Sequence, residues 1–234
     1  MKVVEVTGST NEDALKAAAA GAAEGWAIAS LSQTAGRGRL GRAWQSPKGG
    51  VYVSVILRPA HGYGITRIPL MAGCAMAEAI ATMCCAEGAC VACFPIKVKW
   101  PNDVLVNGRK VTGILTESRD GAVIVGAGVN ITTAPADLPV RQQYPASSLL
   151  AETGTAPDPL TLAETWIDCL LRRYTAPDGL GDWPHWDALY GNPVRVNTLH
   201  GLLEGTGQGI APDGALLLSR DNTLEPILAG DILP

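Results

Sequence analysis

The chain has 234 residues, 47% apolar and 17% charged, with a formal net charge of −4. That composition supports a sizeable core, excludes disorder, and fits one large domain or one domain with a small satellite. A protein living on bulk DNA or RNA backbone should be basic, so that role is disfavoured. The charge is also uneven. No Asp or Glu occurs between Gly25 and Ala77, a stretch that carries Arg37, Arg39, Arg42, Lys48, Arg58 and Arg67. The last 59 residues hold eight acids against Arg195 and Arg220. A local positive field in an acidic chain suits a small anion better than a long polyanion.

Met1 to Gly8 has no apolar core long enough for a signal peptide. Leu70 to Phe94 is the most apolar region, but Glu78, Thr82 and Glu87 interrupt it, so it reads as a buried helix and strand rather than a membrane span. Cys74, Cys84, Cys85, Cys90 and Cys93 fall in that region. Cys90 and Cys93 form a CxxC, but their odd spacing on a strand points them to opposite faces. Free core cysteines in a reducing cytoplasm are expected.

In chain order, Lys2 to Val6 predicts a strand. Ser9-Thr10-Asn11-Glu12 has the form of a capping box opening an Ala-rich helix to about Ala23. Trp26 to Gln33 is a strand, and Thr34 to Trp44, full of Gly and Arg, is a loop. Val51, Val53, Val55 and Leu57 alternate on one face of a half-buried strand. Ile65 to Glu87 predicts a long helix and Lys97 to Trp100 a strand. Val104 to Val106 and Val111 to Ser118 flank Asn107-Gly108, the favoured type I′ hairpin pair. Asp120-Gly121 turns into a strand from Val123 to Ile131. Tight turns imply a largely antiparallel sheet, with helices expected on one face. Ala134 to Pro159 reads as loop with a helical turn, and Leu160 to Tyr174 and Pro184 to Tyr190 as helices. From Pro193 short strands surround Gly205-Thr206-Gly207 and Asp213-Gly214, a small β unit too short to be stable alone.

Four segments carry candidate chemistry. Gly36-Arg37-Gly38-Arg39-Leu40-Gly41-Arg42 puts three of twelve arginines within six positions. Glycine lets backbone approach a ligand, and guanidinium forks bind phosphate or carboxylate. A solvated basic loop would have the same composition. Lys97 to Asp103 alternates, with Lys97 and Lys99 on one face, which also suits an edge strand guarded by lysine. Lys110 begins the apolar stretch Val111 to Leu115, where a lysine is usually a solvated end. Glycine inside the apolar strand Gly126 to Asn130 marks a close approach or a bulge.

This ordered set, with Ser9-Thr10-Asn11, Gln33 and Trp44 to Gly50, resembles the biotin protein ligases over nearly the whole chain. The resemblance implies an α+β fold: a mixed, mainly antiparallel sheet with helices on one face, similar to the class II aminoacyl-tRNA synthetase catalytic domain, over residues 1–190. A small SH3-like β-barrel would follow at 191–234. It implies that biotin attacks the α-phosphate of ATP to give biotinyl-5′-AMP, and that a carrier-domain lysine then takes the biotin. Biotin and ATP with Mg²⁺ are substrates, no cofactor is tightly bound, and no metal ligand is assigned.

By this resemblance Lys110, Arg37 and Arg39 are catalytic. Ser9, Thr10, Asn11, Gln33, Gly36, Arg37, Gly38, Arg39, Lys110, Gly126 and Val129 are biotin-side, Gly126 and Val129 flooring the pocket. Arg39, Arg42, Trp44, Lys99, Asn102, Asp103 and Asn130 are nucleotide-side. The implied partner is a biotin carboxyl carrier protein. No membrane contact is expected. With eight residues before Ser9, neither is an N-terminal DNA-binding domain, nor DNA as partner. Family members occur as monomers and dimers, which leaves a homodimer open. Two other readings compete: a lipoate or octanoate ligase of the same fold, and a non-catalytic anion or nucleic-acid binding module.

Overall fold

The computed structural model describes residues 1–60, 64–84, 94–133, 135–138, 144–221 and 223–233. Seven strands form the larger sheet: β1 (Lys2–Thr7), β2 (Ala27–Gln33), β3 (Gly50–Leu57), β4 (Ile96–Lys99), β5 (Asp103–Val106), β6 (Arg109–Arg119) and β7 (Ala122–Asn130). Their spatial order is β1-β2-β3-β7-β6-β5-β4. Among the described residues, β1 and β2 are the only neighbours in this sheet that pair in parallel, joined by helix α1 (Thr10–Ala19). The hairpins turn where the dipeptides predict. Asn107 and Gly108 have φ of 51° and 74°, and Asp120 and Gly121 have φ of 50° and 77°.

Helices cover both faces, which corrects the expectation of one. A parallel pair needs a crossover, and α1 supplies it on its own side of the sheet. There Ala14 and Leu15 pack on Ile28, Ile56 and Ile124. Helices α2 (Ile68–Cys84), α3 (Leu149–Thr153) and α4 (Pro159–Thr175) follow, and α2 and α4 build the main core on the opposite face. β3 is therefore buried at all eight positions rather than half-buried. Val51, Val53, Val55 and Leu57 join the main core, while Ile56 lies under α1.

Local details also depart from expectation. Ser9 stands at the N-cap of α1 without a side-chain capping bond, and Glu12 instead lies 3.5 Å from Arg37. The helix stops at Ala19, ahead of Gly21, whose φ is 90°. The apolar helix α2 is a core element: Trp166 Nε1 of α4 donates to its Ala72 carbonyl at 3.0 Å. Cys74, Cys84 and Cys169 are buried. Cys85, the CxxC pair and the expected helix end at Glu87 lie outside the described residues.

Helix α5 spans only Trp183–Trp186. Asp187 then accepts Trp183 Nε1–H at 3.0 Å and the Leu189 N–H at 2.7 Å, which turns the chain out of the helix and along β4. Strands β8 (Pro193–Thr198), β9 (Gly201–Ile210), β10 (Leu216–Arg220), β11 (Thr223–Ile227) and β12 (Asp231–Leu233) make a second, antiparallel sheet in the order β11-β10-β9-β8-β12. Gly205-Thr206-Gly207 lies inside β9, not between strands. Val194, Val196, Leu216, Leu218 and Ile227 join the main core, and Trp100 Nε1 donates to the Gly214 carbonyl at 3.1 Å.

Candidate active site

A cavity of about 180 Å³ opens where the four segments meet. Its floor is glycine. Gly126 and Gly128 of β7 and Gly113 of β6 line it. A Cβ on Gly126 would overlap Asn11 Oδ1, and one on Gly128 would overlap Trp44 Nε1. Each glycine therefore makes room for a side chain laid flat on the sheet. Val129 is not part of this floor. Successive strand residues face opposite ways, so Val129 turns into the main core and Gly128 takes the cavity side. Asn130 faces a smaller adjoining cavity that Trp44 and Lys110 also line. Its Nδ2 donates to the Ser147 carbonyl at 2.9 Å.

The wall from β4 to β6 holds a buried clamp. Lys99, Asp103 and Lys110 are 7%, 6% and 7% exposed. Lys99 Nζ lies 3.0 Å from Asp103 Oδ2, and Lys110 Nζ pairs with Oδ1 of the same carboxylate. Burial alone would raise the Asp103 pKa. The Lys110 and Lys99 charges and their hydrogen bonds outweigh it and hold the carboxyl at about 2. Lys110 is thus no solvated strand end, and Lys99 no simple edge guard. Each ammonium also faces a ring: Lys110 lies 5.1 Å from the Trp44 ring centre, and Lys99 lies 5.0 Å from that of Tyr144. Two cations share one anion, so the clamp carries net positive charge at the cavity wall.

The arginine loop closes over the opposite side. It is pinched by Gly38 N–H on the Arg42 carbonyl at 2.7 Å and Trp44 N–H on the Gly36 carbonyl at 3.0 Å. Gly36 lies outside the cavity lining and sits against Ser46 and the Trp44 carbonyl, where a Cβ would not fit. Arg37 Nη2 lies 2.9 Å from Glu117 Oε2. Arg39 donates to Asn102 Oδ1 and to the Gly230 carbonyl, both at 3.1 Å. Asp231 of β12 lies 3.4 Å from Arg39 and pairs with Arg42. Asn102 also donates to the Ile114 carbonyl at 2.7 Å, which fixes the side chain that receives Arg39.

Beneath the cavity runs a polar relay. Asn11 Nδ2 donates to Glu117 Oε2 at 2.8 Å, and Asn11 Oδ1 accepts from Ser54 Oγ at 2.6 Å. Thr10 Oγ1 lies 2.8 Å from Ser54 Oγ, and the Thr10 N–H donates to Gln33 Oε1 at 2.8 Å. Gln33 Nε2 donates to Ser46 Oγ at 2.9 Å, and Ser46 donates to the Trp44 carbonyl at 3.1 Å. The two ends of the arginine loop are thereby tied to the cavity floor.

Of the sequence-predicted residues, Ser9, Thr10, Asn11, Gln33, Arg37, Gly38, Arg39, Arg42, Trp44, Lys99, Asn102, Asp103, Lys110 and Gly126 all line this one cavity. Gly113 and Gly128 lie in the candidate segments but carry no role from sequence, and sequence reasoning assigns none to Ser46, Ser54, Glu117 and Asp231. Ser54 had one visible signal, a small polar residue in the middle of an apolar strand. Among the described residues no three His, Cys, Asp or Glu side chains gather as a metal site. Convergent cations over a glycine floor can bring two anions together above a flat, weakly polar ligand.

Residues 3–133 match the biotin/lipoate A/B protein ligase family, and residues 190–233 match the biotin protein ligase C terminal domain. The biotin–[acetyl-CoA-carboxylase] ligase of Paracoccus denitrificans is 36% identical, with 97% of each chain covered. The bifunctional ligase/repressor BirA of Bacillus subtilis is 34% identical over 97% of this chain and 72% of its own. The biotin protein ligase of Aquifex aeolicus, solved with biotin and ATP, superposes with a TM-score of 0.82 at 26% identity, covering 99% of this chain and 97% of that one. The Leishmania major enzyme, solved with biotinyl-5-AMP, has a TM-score of 0.67 at 25% identity, covering 97% of each chain. With its strands, cavity and both matched segments in agreement, the chain belongs to the biotin/lipoate A/B protein ligase family.

Proposed function

We propose that this chain is an ATP-dependent biotin–protein ligase. Biotin's carboxylate attacks the α-phosphate of ATP, pyrophosphate leaves, and biotinyl-5′-AMP forms. The ε-amine of a carrier-domain lysine then displaces AMP. The observation that carries this reading is the convergence of Lys110 and Arg39 on one glycine-floored cavity. Two anions must meet there, and fixed cations remove their repulsion before the reaction begins.

In this reading Asn11, Thr10, Gln33, Ser9 and Arg37 hold biotin over Gly126, and Gly38 lets the loop lie against it, while Gly36 packs the base of the loop on Ser46. Lys110 orients the carboxylate and stabilises charge on the pentavalent phosphorus. Arg39 spans the acyl and phosphoryl groups. Arg42, Trp44, Lys99, Asn102 and Asn130 serve the nucleotide, with Mg²⁺ arriving on ATP. Asp103 acts as the counter-ion that sets both lysines, since each of its oxygens is already engaged. Support for a biotin carboxyl carrier domain as acceptor comes from the similarity to the Paracoccus ligase.

We further propose that residues 1–190 form a synthetase-like catalytic unit, that 191–234 form an SH3-like accessory barrel, and that the protein works in the cytoplasm, where ATP and carrier are found. The test is ATP–pyrophosphate exchange run with biotin and, separately, with lipoate, followed by transfer of labelled biotin to an apo carrier domain. Biotin-dependent exchange and transfer are expected. Exchange with lipoate alone, or none with either acid, overturns the proposal.

A further inference from the structure

The pairing of β6 with β7 begins at Thr112, opposite Val129, so the main chain of Lys110 lies beyond its end. Residues 145–147 take up the position beside it, bridging to Lys110 in parallel at Ala146. The Lys110 N–H donates to the Pro145 carbonyl at 2.9 Å, and the Ser147 N–H donates to the Lys110 carbonyl at 2.8 Å. The Ser147 carbonyl accepts Asn130 Nδ2, which fixes the plane of that amide. Asn130 is 2% exposed, and its Oδ1 has no hydrogen-bond partner among the described residues. One short strap therefore holds both the backbone of the lysine assigned to the carboxylate and the amide assigned to the nucleotide. The strap has its own anchor. Ser147 is fully buried, and its Oγ donates to Glu152 Oε1 at 2.5 Å. Glu152 lies in α3 with its side chain 12% exposed, and the same oxygen is 3.6 Å from Nε of Arg109, the residue before Lys110. Helix α3 is tied to the sheet by the Leu150 N–H on the Ile131 carbonyl at 2.9 Å.

We infer that Glu152 is a positioning residue for adenylate formation, acting through Ser147. The inference rests on the ligase reading and extends it to a side chain outside the cavity lining. Attack of a carboxylate on phosphorus needs the two groups aligned, and a misplacement of about 1 Å can cost about 10² in rate. Removing the Glu152 carboxylate leaves a buried hydroxyl without its acceptor. The strap then shifts to satisfy it, and Lys110 and Asn130 move with the strap. The residues of α1 and Gly126 that serve the biotin rings make no hydrogen bond to 145–147 among the described residues, so that side of the cavity is spared.

The experiment measures biotin-dependent pyrophosphate exchange by the full chain at varied ATP and biotin, for Glu152→Ala, Glu152→Gln, Ser147→Ala and the double Ala variant. Glu152→Ala should raise KM for ATP about tenfold and lower kcat about tenfold, with KM for biotin within about threefold. Glu152→Gln keeps an acceptor for the Ser147 hydroxyl and should stay within about twofold of the parent in all three. Ser147→Ala should reproduce Glu152→Ala, and the double variant should be no worse than about twofold beyond either, since the two act as one unit. A fall in kcat alone, with both KM values at the parent level, would mean only a smaller folded fraction and overturns the inference. So does a silent Ser147→Ala, or a Glu152→Gln as impaired as Glu152→Ala. Absence of exchange in the parent chain is a different failure, that of the ligase reading.

Discussion

Glu117 Oε2 lies 2.9 Å from Arg37 Nη2 and accepts from Asn11 Nδ2 at 2.8 Å. One carboxylate oxygen on β6 therefore holds the first arginine of the loop and fixes which way the Asn11 amide faces. The pair is partly open to water, so its contribution to stability is small, about 1 kcal/mol or less. Its effect on the cavity should be larger. Glu117→Gln is expected to raise KM for biotin about tenfold while leaving KM for ATP within about twofold and Tm nearly unchanged. Glu117→Asp, one methylene shorter, should not restore biotin affinity. A matching rise in both KM values would instead mean general disruption of the loop.

Asp103 gives a pH prediction with a definite sign. Its carboxyl titrates at 3.8 in the unfolded chain and at about 2 in the folded one. The folded state thus binds fewer protons in that window. The clamp's contribution is complete above about pH 4 and is lost as pH falls toward about 2. At about 1.4 kcal/mol per pKa unit, the loss is about 2 kcal/mol. Urea unfolding at pH 7, 4, 3 and 2 should show that extra loss in the parent chain and not in Asp103→Asn. At pH 7 the variant should be the less stable of the two, because two buried ammonium groups are left without their shared anion.

Lys110 is a buried cation, 7% exposed, assigned to the reacting carboxylate in the proposed reaction. Removing one preorganised donor of this kind typically costs about 3–4 kcal/mol in the transition state, or 10²–10³ in rate. Lys110→Ala is expected to lower biotin-dependent exchange by about that factor. Exchange unchanged from the parent would remove Lys110 from the chemistry.

The local rules of sequence reached the strands, the turns and the ordered motifs. Alternation and turn dipeptides are set by a few neighbouring residues, so they are legible. The pairings that finish the cavity are not. Arg37 meets a residue 80 positions away and Arg42 one 189 positions away, so topology rather than local pattern selects Glu117 and Asp231. Burial of Lys99 and Lys110 was hidden for the same reason. A lysine at a strand end is ordinarily solvated, and only the β4-β5-β6 register puts Asp103 between these two. The expectation of helices on one face fails at α1, because the parallel pairing of β1 and β2 leaves no turn signature. The error at Val129 was avoidable. Gly126 and Val129 are three residues apart on a strand, and the two-residue period alone puts them on opposite faces.

The glycine floor separates the two halves of the cavity experimentally. Gly126 abuts Asn11, proposed to serve biotin, whereas Gly128 abuts Trp44, proposed to serve the nucleotide. An added methyl at either site must displace that neighbour, and overpacking of this kind typically costs about 1–3 kcal/mol. Gly126→Ala should therefore raise KM for biotin about tenfold and spare ATP. Gly128→Ala should do the reverse, because it moves an indole that also faces Lys110. Isothermal titration with each ligand, or exchange kinetics at varied biotin and ATP, would read the split. If both variants weakened the same ligand, the assignment of α1 to biotin and Trp44 to nucleotide would fall, since the two glycines lie on the same strand and differ only in which side chain they accommodate.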